Sequence, residues 1–163
     1  MHVHGYSQEH DPKTFSNAIS GSLGLIAMPE YDYLGDHIGR KYLPAFSLDY
    51  ELRYKRKFGV LFMNEYVLNS FIAEDPEGDF IDREHILITS LNIGYSPFPN
   101  FSGYAGYGFE TDLTNGFSYG VTRIGCEYGI PIRNDWYSIM LLAGDFRRYY
   151  ASVSFEIGFA KDF

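Results

Sequence analysis

The ionisable residues set inside alternating apolar segments are the first place to look for chemistry. Asp49, Glu51, Glu65, Glu110, Glu127 and Glu156 fall within such segments, as do Arg53 and Arg123. Acids and arginines that share an interior can form a proton path, an ion-selective constriction, or a set of buried ion pairs. An unpartnered buried charge is costly, so mutual pairing is the simplest expectation for these eight. The acids outnumber the arginines, which leaves some carboxylates to be protonated, hydrated or near a rim. A second group, Glu74, Asp75, Glu77, Asp79 and Asp82 in "AEDPEGDFID", supplies the hard oxygen ligands that Ca²⁺ takes. Its spacing is not that of an EF-hand, and a solvated loop is the simpler reading. His2, His4 and His10 include a His-x-His pair, which without further ligands says little about metal. Gly103, Gly106 and Gly108 in "GYAGYGFE" sit in a strand with no helix after it, so they relieve crowding or permit curvature rather than cradle phosphate. None of these groups implies a cofactor.

The elements that must position them are strands. At 163 residues the chain has the length of one domain. Its 15 Tyr, 14 Phe and 17 Gly favour strands and tight turns over helices. A net charge of −8 with no basic stripe argues against nucleic acid. The single cysteine, Cys126, rules out an intrachain disulfide. No run approaches the ~20 apolar residues of a membrane-spanning helix. The opening "MHVHGYSQEHDPK" lacks the apolar core of a signal peptide, which fits either a cytoplasmic chain or a processed, exported one. After a polar lead over residues 1–15, a single domain over 16–163 shows eight candidate strands, near 16–29, 42–54, 58–69, 84–96, 101–112, 118–129, 136–144 and 149–163. The first and third connections, "PEYDYLGDHIGRK" and "SFIAEDPEGDFIDR", are long; "KRK", "SPFPN" and "IPIRND" are short. In an up-and-down order the long loops share one end and the short turns the other.

Alternation then assigns faces. Phe46, Leu48, Tyr50, Leu52 and Tyr54 oppose Ser47, Asp49, Glu51 and Arg53; Val153, Phe155, Ile157 and Phe159 oppose Ser152, Ser154, Glu156 and Gly158. A soluble lipocalin-like barrel would turn the apolar row inward around an apolar ligand and show water a row dense in Lys and Glu. Here the polar row is largely Ser, Gly, Asn and other small residues, which suits the narrow interior of an eight-stranded membrane barrel. Aromatic residues gather near segment ends. Tyr54, Phe58, Tyr95, Phe98, Phe101, Tyr128, Trp136, Tyr137 and Phe163 fall at the short-turn end, and Tyr42, Phe71, Phe109, Tyr119, Phe146 and Tyr149 at the other, as interfacial girdles would. The expected fold is all-β, an eight-stranded antiparallel up-and-down transmembrane β-barrel.

The closing "YYASVSFEIGFAKDF" resembles the C-terminal strand of bacterial outer-membrane barrels, with Phe155, Ile157, Phe159 and Phe163 matching the pattern and Lys161 departing from it. The whole layout resembles the small OmpA- and OmpX-like barrels. That resemblance implies a bacterial outer-membrane location, contact with lipid and lipopolysaccharide, and recognition of the final strand by the barrel-assembly machinery. A divalent cation between the acidic loop and lipopolysaccharide phosphates would fit the same setting. The chain also resembles lipid A deacylases in size and strand count. That family carries a His and a Ser one residue apart; no His-x-Ser occurs here, and neither His85 nor His37 has an obvious nucleophile beside it. The leading expectation is a non-enzymatic envelope protein acting through its external loops, with its lumen closed by side chains. A soluble carrier and a lipid-modifying enzyme are the alternatives.

Overall fold

The computed structural model describes residues 15–55, 57–74 and 78–163. His2, His4 and His10, the polar lead up to residue 14, and Asp75 and Glu77 of the acidic run lie outside the described residues. Among the described residues ten strands follow in order: β1 (Phe15–Tyr31), β2 (His37–Tyr54), β3 (Phe58–Val67), β4 (Phe71–Glu74), β5 (Phe80–Arg83), β6 (Ile86–Phe98), β7 (Phe101–Asp112), β8 (Ser118–Arg133), β9 (Trp136–Phe146) and β10 (Ala151–Asp162). Eight of them close into an antiparallel barrel in sequence order, β10 returning to pair with β1 from Ala18↔Asp162 to Ala27↔Val153. β4 and β5 form a separate two-stranded hairpin.

Burial alternates along the barrel strands as the pleat requires. In β2, Ala45, Ser47 and Asp49 are buried, while Phe46, Leu48 and Tyr50 are exposed. β10 does the same, with Ser152, Ser154 and Glu156 inside and Val153, Phe155 and Ile157 outside. Short turns close one end. Asn134 and Asp135 both adopt left-handed φ, 54° and 63°, the pairing that a two-residue hairpin turn needs and that Asn and Asp tolerate. Tight coiling is visible at Gly108, where a Cβ would stand 2.0 Å from the Thr89 carbonyl oxygen of the neighbouring strand. Gly106 is alike, 2.1 Å from the Leu91 carbonyl, whereas Gly103 has its nearest neighbour at 4.0 Å. Two of the three glycines in "GYAGYGFE" therefore serve the curvature expected of them, and the third is not needed for space.

The long-loop end differs from the sequence-based outline. The first connection is mostly strand: β1 and β2 stay paired out to Tyr31↔His37, past the last pairs with β10 and β3 at Ala27↔Val153 and Ala45↔Val67. Asp32 closes this extension by accepting hydrogen bonds from the Leu34 and Asp36 amides, each at 2.9 Å. The third connection is the β4–β5 hairpin rather than a loop. Its Phe71 and Ala73 are buried among Ile26, Met28, Leu43, Val67, Ile86 and Ile88, the inward residues of β1, β2, β3 and β6. The hairpin thus folds back over the mouth and fills it. Phe80 at its tip packs on the β1–β2 turn, 5.3 Å from the Tyr31 ring and against Gly35, so the two projecting hairpins form one unit.

The interior is accordingly layered rather than uniformly polar. An apolar layer near the short turns holds Leu61, Met63, Tyr104, Ile139 and Leu141, and a second lies under the hairpin. Ionisable side chains, among them Glu65, Arg123 and Asp145, occupy the space between them and extend to the hairpin. Four residues expected in the outer girdles point inward instead. Phe71 belongs to the hairpin; Tyr119 is buried in β8; Tyr137 packs on the inner apolar layer and Tyr149 on the layer below the hairpin. For Tyr119 and Tyr137 the reason is strand parity, since each lies two residues from an inward neighbour, Val121 and Ile139.

Candidate functional site

The buried charges form a chain of alternating sign that runs from the barrel wall to the hairpin. Arg123 of β8 stands directly opposite Asp145 of β9 in the register and donates two hydrogen bonds to it, Nε to Oδ1 and Nη2 to Oδ2, both at 2.7 Å. The same Nη2 reaches across the lumen to Glu65 of β3. Asp145 lies 3.6 Å from Arg147 in the β9–β10 loop, and Arg147 pairs in turn with Glu110 of β7. Glu110 also receives Arg83 of β5, with Nη1 to Oε1 at 2.6 Å, and the Tyr150 hydroxyl. Arg83 ends the chain near Asp112, with 3.4 Å from Nε to Oδ2. Planar guanidinium groups that bridge two carboxylates suit a buried setting because their N–H groups point at acceptors in fixed directions.

Arg83 is the contact that ties the hairpin into this chain. It is fully buried. Its guanidinium stacks over the Tyr119 ring at 4.3 Å and lies 5.6 Å from the Phe71 ring, and Nη1 donates to the Tyr150 hydroxyl at 2.6 Å. Its Nη2 is buried without a hydrogen-bond partner among the described residues. Tyr119 donates to the Glu74 carbonyl at 3.3 Å, holding the other strand of the hairpin. Tyr150 sits in the loop before β10, where burial, with Glu110 beside it, pushes its phenol well above the usual tyrosine range and keeps it a donor. Asp112 also organises a loop, its carboxylate accepting from the Thr114 and Asn115 amides at 3.0 and 2.8 Å and so setting the β7–β8 connection.

The eight interior candidates fall in different places. Glu65, Glu110 and Arg123 belong to the chain just described. Arg53 and Glu51 pair at 2.6 Å near the short-turn rim, where Arg53 also meets Asp162 at 2.8 Å. Asp49 and Glu156 differ from the expectation of ion pairing. Among the described residues they are hydrogen-bonded instead, Asp49 accepting from the Asn64 amide at 3.0 Å and Glu156 from the Ser22 hydroxyl at 2.5 Å. Glu127 lines a cavity of about 410 Å³ at the short-turn mouth, together with Arg53, Lys55, Tyr137 and Asp162. Arg83, Asp112, Asp145, Arg147 and Tyr150 were not among the candidates. Each sits at a segment end or in a connection, where alternation carries no sidedness signal.

Other candidates are placed as follows. Phe155, Ile157, Phe159 and Phe163 are all exposed, and the Lys161 ammonium lies near the Trp136 and Phe163 rings, 5.4 and 5.3 Å from their centres. Glu74, Asp79 and Asp82 stand on the hairpin, and among the described residues no group of three His, Cys, Asp or Glu side chains is placed to share a metal ion. His85 Nδ1 is 2.6 Å from the Tyr66 hydroxyl, and His37 packs edge-on to Tyr31.

This architecture is that of the small outer-membrane β-barrels. Ail, the attachment invasion locus protein of Yersinia pestis, in complex with the heparin analogue sucrose octasulfate, superposes with a TM-score of 0.53 at 15% identity over 91% of this chain and 99% of that one. The outer-membrane protein OprG of Pseudomonas aeruginosa does so with a TM-score of 0.50 at 14% identity, over 92% of this chain and 96% of that one. At such identities the likeness is one of fold. No family model matches the sequence, and no curated protein matches it.

Proposed function

We propose that the chain is a bacterial outer-membrane barrel that spans the bilayer with eight strands and acts without catalysis, in envelope structure or through its projecting hairpins. The observation that carries this is sidedness. Leu48, Phe62 and Phe155 are 61%, 46% and 50% exposed, while Arg123 is 1% exposed. In water that arrangement would leave a continuous apolar belt unburied and bury charges at a cost; in lipid it is the favoured one. A soluble carrier needs the opposite arrangement. The interior side chains pack into layers, which supports a lumen closed to bulk flow.

The long hairpins are assigned to the outside by analogy with barrels whose periplasmic turns are short. Lipid, lipopolysaccharide and, during biogenesis, the barrel-assembly machinery reading Phe155, Ile157, Phe159 and Phe163 are the partners of this reading. Ail was solved with a sulfated sugar. Here residues 30–41 and 71–85 carry nine of the 21 carboxylates against three of the 13 basic residues, so a polyanion is disfavoured at this end.

Extraction decides the main claim. The protein should require detergent, and its unheated form should migrate faster than the boiled form on a gel. Ready solubility in plain buffer would overturn the reading. Lipid A mass spectra should be the same with and without the gene, and a change in acylation would establish an enzyme instead.

A further inference from the structure

The β4–β5 hairpin plugs the mouth with a side chain whose surroundings describe a binding site. Remove the hairpin, and what remains is a cup. Its wall is Ile26, Met28, Leu43, Val67, Ile86 and Ile88, and its far side carries Glu110, Asp112, Tyr119 and Tyr150. The wall calls for an aromatic or aliphatic group, which Phe71 supplies. The far side calls for a cation that can stack on a ring and bond a carboxylate, which Arg83 supplies. Without that cation the cup would hold two carboxylates with Arg147 as their remaining buried cation among the described residues, helped by donors from Tyr150, Thr114 and Asn115. An empty cup is therefore disfavoured, and a filled one needs a positive charge.

Arg83 fills the site imperfectly. Its contact with Asp112 is long, at 3.4 Å, and its Nη2 is buried with no hydrogen-bond partner among the described residues. A guanidinium not tethered to the barrel could shorten the contact with Asp112 and aim its remaining N–H groups more freely.

We propose that the cup is an exchangeable site for arginine beside a bulky apolar residue: Arg83 and Phe71 occupy it in cis, and a cationic amphipathic peptide segment of a partner takes it in trans. This rests on the membrane-barrel reading with the hairpins facing outward. The acidic balance of the two projecting hairpins would draw such a segment toward the mouth.

The test uses the full chain in phosphatidylcholine vesicles, after the gel-shift assay shows a folded barrel, so that failure of the barrel reading is seen first. The probe is N-acetyl-Phe-Arg-amide, with the citrulline analogue as its uncharged counterpart. Hydrogen exchange of β4 and β5 in the wild type should speed up saturably with the arginine probe and stay unchanged with citrulline. In Arg83→Ala the same probe should raise the thermal midpoint saturably. Adding Glu110→Gln should weaken that binding by about thirtyfold or more, the low end for losing one partner of a buried charge pair. Should Arg83→Ala fail to fold, the wild-type exchange decides alone. Unchanged exchange at saturating solubility of the probe, or equal effects of arginine and citrulline, would make the hairpin a permanent plug and overturn the proposal.

Discussion

Single residues separate into those that neutralise charge and those that leave room. Arg123 serves Asp145 and Glu65 at once, so Arg123→Ala takes the cation from buried Glu65 and leaves Asp145 with only the longer, 3.6 Å contact to Arg147. We expect it to lower the unfolding free energy by about 3–5 kcal/mol, measured by urea titration in lipid vesicles. Space gives a sharper contrast. Gly108→Ala would drive a methyl into the Thr89 carbonyl and should cost about 1–3 kcal/mol, whereas Gly103→Ala, with 4.0 Å of clearance, should stay within about 0.5 kcal/mol of the wild type. Equal effects of the two would show that the strand coiling at β7 is not what the glycine serves. Residues such as Glu65 and Arg123 are readable from sequence because mid-strand parity fixes their face. Arg83 and Arg147 are not, because whether a connection turns back into the lumen depends on partners far away in the chain.

At the level of elements, β10 carries the clearest local code and the β4–β5 hairpin the least obvious one. Phe155 pairs with Leu25 near the middle of β1 and is half exposed on the lipid side. Phe155→Arg should therefore cost about 2–4 kcal/mol in vesicle folding titrations, while Phe163→Arg, near the rim, should cost about 0–1 kcal/mol. No difference between them would contradict a bilayer centred on β10. The eight barrel strands were legible because alternation over ten or more residues repeats its own evidence. The hairpin had a weaker signature, four-residue runs around a Pro- and Gly-containing turn, which resembles a solvated acidic loop until Phe71 and Ala73 find their apolar partners. The β1–β2 extension was hidden for a similar reason. Its residues Glu30, Tyr31, His37 and Gly39 lack a buried face of the usual kind, so pairing with each other and the contact of Tyr31 with Phe80 hold them in strand.

For the whole molecule, two apolar layers with charge between them support the closed interior proposed above. Planar-bilayer recordings of the purified protein should show no large steady conductance, and such currents would contradict the closed interior. The molecule is also polar along its axis. The acidic hairpins lie at one end, and Lys55, Lys57, Arg133 and Lys161 gather with Trp136 and Phe163 at the other. An even number of barrel strands brings β1 and β10 to start and finish together, where the Phe163 amide donates to the Asn17 carbonyl at 2.8 Å. A reporter fused after Phe163 and an epitope spliced at Leu34 would consequently sit in different compartments. On intact cells an antibody should find the second and miss the first.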